Sequence, residues 1–98
     1  MDIKVQTVHF SADKKLVEYI NEKVSKLDLF YDNITSSEVY LRVNKTSDKE
    51  NKISEVKIHI PGKELFAKKQ CKTFEEGVAL AVEAIRKQVE KNKKVLVY

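Results

Sequence analysis

The chain has 98 residues, enough for one domain around one hydrophobic core and too few for two. Hydrophobic residues make up 42% of it and charged residues 35%, a balance that excludes a disordered chain. The net charge of +4 favours an acidic partner, but 15 acidic residues accompany the 19 basic ones, so the position of the excess matters. We expect a single domain over residues 1–98.

Nothing in the sequence predicts a targeting or membrane segment. The N-terminal M-D-I-K-V-Q-T lacks the apolar region of a signal peptide. No apolar run approaches the roughly 20 residues that span a bilayer. The single cysteine, Cys71, cannot form an internal disulfide, which suits a reducing compartment. These features predict a soluble, cytoplasmic protein with no membrane partner.

The first half of the chain predicts a strand, a helix and a second strand. Residues 3–10 alternate as a strand does, and Ser11 is the predicted N-cap of the helix that follows. One helix face is apolar: Leu16, Val17, Ile20, Val24 and Leu27. Three residues are expected to pack over the end of the helix: Phe30, Tyr31 and Ile34. The second strand, residues 38–45, should point Val39, Leu41 and Val43 inward.

The second half predicts a meander and a final helix. Polar residues 46–52 form a loop before a strand at 53–60, whose apolar face holds Val56, Ile58 and Ile60. Pro61 and Gly62 mark a turn into a strand at 64–70 that buries Leu65 and Ala67. Thr73 and Glu76 form a capping box, and an apolar stripe then recurs at helical spacing: Phe74, Val78, Ala81, Val82, Ile85 and Val89.

The order of elements is therefore β-α-β-β-β-α. Both helices need cover for an apolar stripe, and the simplest arrangement packs them on one face of a four-stranded sheet. The predicted fold class is α+β.

Residues for catalysis or metal binding are sparse. His9 and His59 lie in separate predicted strands, and one cysteine gives no zinc-binding spacing. The two glycines, Gly62 and Gly77, provide no phosphate-binding loop. We expect no enzymatic activity, no metal, no cofactor and no small-molecule substrate.

Lysines follow the solvent side of both predicted helices. Lys87, Lys91 and Lys94 lie opposite the apolar stripe of the final helix, at about 100° per residue. On the first helix, three lysines and a tyrosine share one flank: Lys15, Tyr19, Lys23 and Lys26. Helices side by side would pool these charges into one surface for RNA phosphates, recognising shape more than sequence. The alternative is that the lysines only solvate two ordinary amphipathic helices.

The other side of the sheet offers a second candidate surface. Aromatic and cationic side chains alternate there and would point away from the helices: Tyr40, Arg42, Lys57, His59, Phe66 and Lys68. Such a face can stack unpaired bases.

The residues also resemble the ribosome hibernation promoting factors, which include the Y proteins. The resemblance covers nearly the whole chain and rests on K-V-S-K-L-D-L-F-Y-D-N-I, V-Y-L-R-V-N-K, V-K-I-H-I-P-G-K-E-L-F-A and I-R-K-Q-V-E-K-N-K-K. It implies a topology like that of double-stranded RNA-binding domains. It also implies a factor that binds the small ribosomal subunit, through its ribosomal RNA, in the mRNA and tRNA channel near the decoding centre. Such a factor inhibits translation and protects idle ribosomes.

The resemblance implies RNA-binding roles for basic residues late in each helix. Positions that match are Lys23, Lys26, Lys87, Gln88 and Lys91, and Lys93 and Lys94 extend the charge. Ala84 and Val95 depart from the pattern, because the family often has basic residues at both positions. The length resembles the short form, which in relatives needs a separate factor to dimerise ribosomes. Two other functions remain open, a general structured-RNA-binding module and a small acylphosphatase-like enzyme.

Overall fold

A computed structural model describes residues 1–8, 10–45 and 49–96, and in the last helix its side chains only as far as Glu90. The elements, in chain order, are β1 (Asp2–Thr7), α1 (Lys14–Ser25), a 3₁₀ turn (Lys26–Leu29), β2 (Ser36–Val43), β3 (Lys52–Ile60), β4 (Lys63–Cys71) and α2 (Phe74–Leu96). This order confirms the predicted α+β fold. His9, residues 46–48 of the predicted loop and residues 97–98 lie outside the described residues.

The four strands form one mixed sheet in the order β1-β2-β3-β4. β1 and β2 are parallel and are connected through α1, whereas β2, β3 and β4 form an antiparallel meander. Pro61 and Gly62 form the turn between β3 and β4, as predicted. Gly62 has a φ of 75°, a left-handed conformation that a side chain would disfavour.

Both helices pack on one face of this sheet and enclose the core. The core side chains include Ile20 and Val24 from α1, Ile58 from β3, and Val78 and Ile85 from α2, all of them completely buried. Val43 was predicted to point into the core and is instead 41% exposed. Val43 is the last residue of β2 and the next residue after Leu41 on the same face of the strand. The core ends at Leu41, so Val43 lies at its margin.

The start of α1 differs from the prediction. Asp13 and not Ser11 is the N-cap, with its carboxylate accepting a hydrogen bond from the Leu16 backbone N–H at 2.8 Å. The preceding strand ends at Thr7, because the chain turns there and the Thr7 hydroxyl donates to the Phe10 carbonyl. Phe10 lies past the end of β1 and stacks on Phe74, with ring centroids 4.9 Å apart.

The start of α2 agrees with the prediction. The Thr73 hydroxyl accepts a hydrogen bond from the Glu76 backbone N–H at 3.1 Å, which forms the N-cap half of the capping box. One turn later, Gly77 lets the helix approach β3 closely, since a Cβ atom at this position would lie 2.7 Å from the Ser54 hydroxyl oxygen. The helix axis is therefore held tight against the sheet.

Two buried serines on the inner face of the sheet should respond oppositely to loss of their hydroxyl groups. Ser54 donates to the Phe74 carbonyl at 3.3 Å, whereas the Ser37 hydroxyl has no hydrogen-bond partner within the described parts of the chain. We expect Ser54→Ala to lower the free energy of unfolding by about 1 kcal/mol and Ser37→Ala to raise it by about 1 kcal/mol. Urea unfolding measures both, and a loss of stability in Ser37→Ala would contradict the account.

Candidate nucleic-acid interface

The two helices lie side by side and point in the same direction. β1 and β4 are parallel through the pairing of the sheet, and each precedes one of the helices. The Phe10–Phe74 stack lies near both helix starts, and the Arg86 guanidinium lies over the Phe30 ring just past the end of α1, at 5.5 Å. Parallel helices bring the later turns of α1 and α2, which carry the predicted lysines, to the same end of the sheet.

On α1, the lysines lie on the flank toward α2. Val17 and Asn21 on the opposite flank line a cleft of about 440 Å³ along β1. At 100° per residue, Tyr19, Lys23 and Lys26 therefore lie on the other flank. The Lys23 ammonium sits 5.5 Å from the centroid of the Tyr19 ring, a cation–π contact that holds this side chain against the helix.

Lys26 forms an ion pair with Glu22 one turn earlier, at 3.7 Å. Both side chains are more than half exposed to solvent. Exposed pairs at this spacing contribute only about 0.3–0.5 kcal/mol. The pair therefore leaves Lys26 able to exchange its partner for a phosphate.

On α2, Lys87 is exposed and lies on the side of the helix away from the sheet, opposite the buried Ile85 and Val89. Gln88 points differently, because its amide donates to the Phe66 carbonyl of β4 at 3.1 Å. That bond attaches α2 to the edge strand. The side chains of three further predicted residues lie outside the described part of the chain: Lys91, Lys93 and Lys94.

A cluster of ionic groups that the sequence analysis did not identify lies between the helices. Arg86 donates hydrogen bonds to Glu83 and Glu90, one turn before and after it on α2. The hydrogen bond from Arg86 lowers the pKa of Glu83, and the same bond raises the pKa of Arg86. The i,i+3 and i,i+4 spacing of the three residues was a signal for this cluster. With one guanidinium and two carboxylates, the cluster has a net charge of −1 and adds no positive charge to the site, whose described cations are Lys23, Lys26 and Lys87.

On the opposite face of the sheet, two of the predicted side chains lie beside acids. Arg42 lies 3.8 Å from Glu55, and His59 lies between Glu38, at 3.8 Å, and Glu64, at 3.3 Å. The predicted aromatic and cationic residues do share this face, and Phe66 is 46% exposed. Acids therefore accompany cations on this face, as Glu22, Glu83 and Glu90 do on the helices.

The hydrogen bond between Tyr40 and Glu38 on this face gives a testable pH dependence. The Tyr40 hydroxyl donates at 2.9 Å, which lowers the pKa of Glu38 and raises that of Tyr40. Because the carboxylate pKa is lower in the folded state, its stabilising effect is present above the unfolded-state pKa and is lost as the pH falls through the folded one. We expect Tyr40→Phe to raise the Glu38 pKa in an NMR titration, and an unchanged value would contradict this cause.

Other kinds of site have little support in the described residues. Nowhere in residues 1–8, 10–45 and 49–96 do three or more His, Cys, Asp or Glu side chains come together as a metal site. Within the same ranges, no helix is both long and apolar enough to cross a membrane. Arg42 and Arg86, the two arginines of the sequence, both lie beside glutamates: Glu55 for Arg42, and Glu83 and Glu90 for Arg86.

Solved structures share this fold, a mixed four-stranded sheet with two helices on one face. The chain superposes on a ribosomal subunit interface protein from Coxiella burnetii with a TM-score of 0.83 and 19% identity, over 96% of this chain and 99% of that one. It also superposes on the N-terminal domain of Thermus thermophilus Protein Y with a TM-score of 0.81 and 18% identity, over 93% and 98% of the two chains.

Sequence comparison gives the family. The model of the sigma 54 modulation protein / S30EA ribosomal protein family matches residues 3–96, so the chain belongs to this family. Similar curated proteins include the ribosome hibernation promoting factor of Azotobacter vinelandii, 26% identical over 93 residues, which are 95% of this chain and 83% of the relative. The protein of the same name from Pseudomonas putida is 24% identical over 95% and 87% of the two chains. The resemblance predicted from the sequence is confirmed.

Proposed function

We propose that the protein is a ribosome hibernation factor. It binds the small ribosomal subunit in the mRNA and tRNA channel near the decoding centre, inhibits translation and protects idle ribosomes. Membership of the family and the names of the relatives support the association with ribosomes. The placement in the channel rests on the sequence resemblance and on the shape and charge of the helices.

The observation that carries this proposal is the parallel packing of α1 and α2 on one face of the sheet. It sets Lys23 and Lys26 on the flank of α1 toward α2, and Lys87 on the outer side of α2. Lysines at the same end of two neighbouring helices suit the closely spaced phosphates of folded RNA. The proposed site also includes four residues that the sequence alone indicates: Gln88, Lys91, Lys93 and Lys94.

The proposed mechanism is steric and electrostatic. The domain, taken as residues 1–98, occupies the channel and excludes mRNA and tRNA, so it needs no catalytic group, cofactor or small-molecule substrate. Its partner is the small subunit in the cytoplasm. A separate dimerising factor would act beside it when ribosomes pair. Each phosphate contact releases counterions, so affinity should fall steeply with added salt.

Sedimentation of ribosomes from stationary-phase cells, probed for this protein, tests the proposal. We expect the protein in the ribosomal fractions at low salt and its release as salt rises. Recovery only at the top of the gradient at every salt concentration would contradict it. A general structured-RNA binder would also bind naked duplex RNA as tightly as it binds purified small subunits, so comparing the two affinities discriminates these functions.

A further inference from the structure

Leu29 is the most exposed large hydrophobic side chain in the described parts of the chain. Its relative exposure is 80%, whereas the next, Phe66 and Leu80, are each 46% exposed. The segment around it is held in place: the backbone N–H groups of Phe30 and Tyr31 both donate to the carbonyl of the buried Leu27, at 3.0 and 3.1 Å. An ordered turn therefore presents a leucine to water.

The 3₁₀ geometry of this turn places Leu29 in line with Lys26. Side chains at positions i and i+3 eclipse each other in a 3₁₀-helix, so Leu29 extends the flank of Lys23 and Lys26 by one turn. Asp28 points elsewhere, and its carboxylate lies 3.9 Å from the amino group of Met1. The apolar side chain thus shares the side of the cations, and the acidic one does not.

We propose that Leu29 packs against an unpaired nucleobase of the small-subunit RNA while Lys26 binds an adjacent phosphate. This inference rests on the proposed function and adds a contact of a different chemical kind. Leucine offers nothing to a phosphate, and the apolar surfaces that folded RNA presents are the faces of its unstacked bases. In proteins that bend duplex DNA, leucine is among the side chains that insert between base steps, so it can pack against the face of a base. The neighbouring lysines favour RNA over an apolar groove on a protein.

Affinity for purified small subunits, measured as a function of salt, tests the proposal. We expect Leu29→Ala to weaken binding about tenfold, because that change in affinity corresponds to the free energy of burying one such side chain. The salt dependence of binding should not change. Lys26→Gln should instead reduce the slope of log affinity against log salt by about one. Val43→Ala is the control, since Val43 is also exposed but lies at the far end of β2.

The outcomes separate the two levels of the proposal. If the unaltered protein fails to bind small subunits, the proposed function is wrong. If it binds and Leu29→Ala behaves like Val43→Ala, the contact is wrong and the function stands. Urea unfolding of Leu29→Ala should match that of the unaltered protein, because the side chain is outside the core.

A photoreactive benzophenone amino acid at position 29 identifies the surface contacted. After irradiation with purified small subunits, we expect a crosslinked product that ribonuclease converts to a smaller species. A crosslink to a ribosomal protein alone, or the absence of any crosslink, would overturn the assignment to a nucleobase.

Discussion

Replacing Lys26 and Lys87 together by glutamate is expected to weaken binding to purified small ribosomal subunits about 100-fold or more. Both side chains are exposed, so the change should leave the core intact. Each reversal removes a charge-assisted contact of about 1.5–3 kcal/mol, and a tenfold change corresponds to about 1.4 kcal/mol. The slope of log affinity against log salt should also fall by about two. Binding titrations at several salt concentrations measure both effects.

The matched control is the double replacement of Lys14 and Lys49 by glutamate. Lys14 lies at the start of α1, where its ammonium is 3.9 Å from Glu18, and Lys49 precedes β3; both are exposed. The control carries the same change in net charge, from +4 to zero, since each reversal changes the charge by two. General attraction to the ribosome is therefore equal in the two proteins. Equal affinities would show that the helix lysines have no special role.

Phe74→Ala is expected to lower the free energy of unfolding by about 3–5 kcal/mol, the largest change in stability that we predict. Phe74 is only 8% exposed, and its ring stacks on Phe10 at 4.9 Å with the two planes 6° apart. Alanine would open a cavity at the start of α2 and leave Phe10 without its stacking partner. Urea unfolding measures the loss as a lower midpoint with an unchanged m-value.

Two further variants separate burial from stacking at this position. Phe74→Leu keeps most of the apolar volume and should lose about 0.5–1.5 kcal/mol from the aromatic pair, with a smaller packing cost. Phe66→Ala removes the same side chain from the open face of the sheet, where it is 46% exposed, and should cost about 1 kcal/mol or less. If Phe74→Ala were no more destabilising than Phe66→Ala, the stack would not anchor the helix.

Short sequence patterns predicted the parts of the fold that depend only on residues close together in the chain. The Pro61–Gly62 turn and the Thr73 cap were both found from short patterns, and both are present. The cap of α1 was not found, because Ser11 and Asp13 are equally good caps two residues apart. The choice depends on the stacking of Phe10, which lies past the end of β1, on Phe74 of α2, and this is a tertiary contact.

In the candidate site, too, contacts within one helix were predicted and contacts between elements were not. Helical periodicity placed Lys23 beside Tyr19, and the structure brings the ammonium to the ring. Periodicity did not predict that the Gln88 amide would reach the carbonyl of Phe66, because that bond needs the position of α2 over β4. The exposure of Leu29 was not predicted either, because the apolar residues of the L-D-L-F-Y run follow no period that separates core positions from exposed ones. RNA contacts of the lysines stay predictions.

The parallel pairing of β1 with β2 has a consequence for how the chain assembles. β3 and β4 meet through a two-residue turn, whereas Asp2 pairs with Ser36, 34 positions later in the chain. Closing the longer loop costs more entropy, so we expect the meander to fold first and β1 to dock last. In native-state hydrogen exchange, β1 amides should open at lower free energy than those of β3.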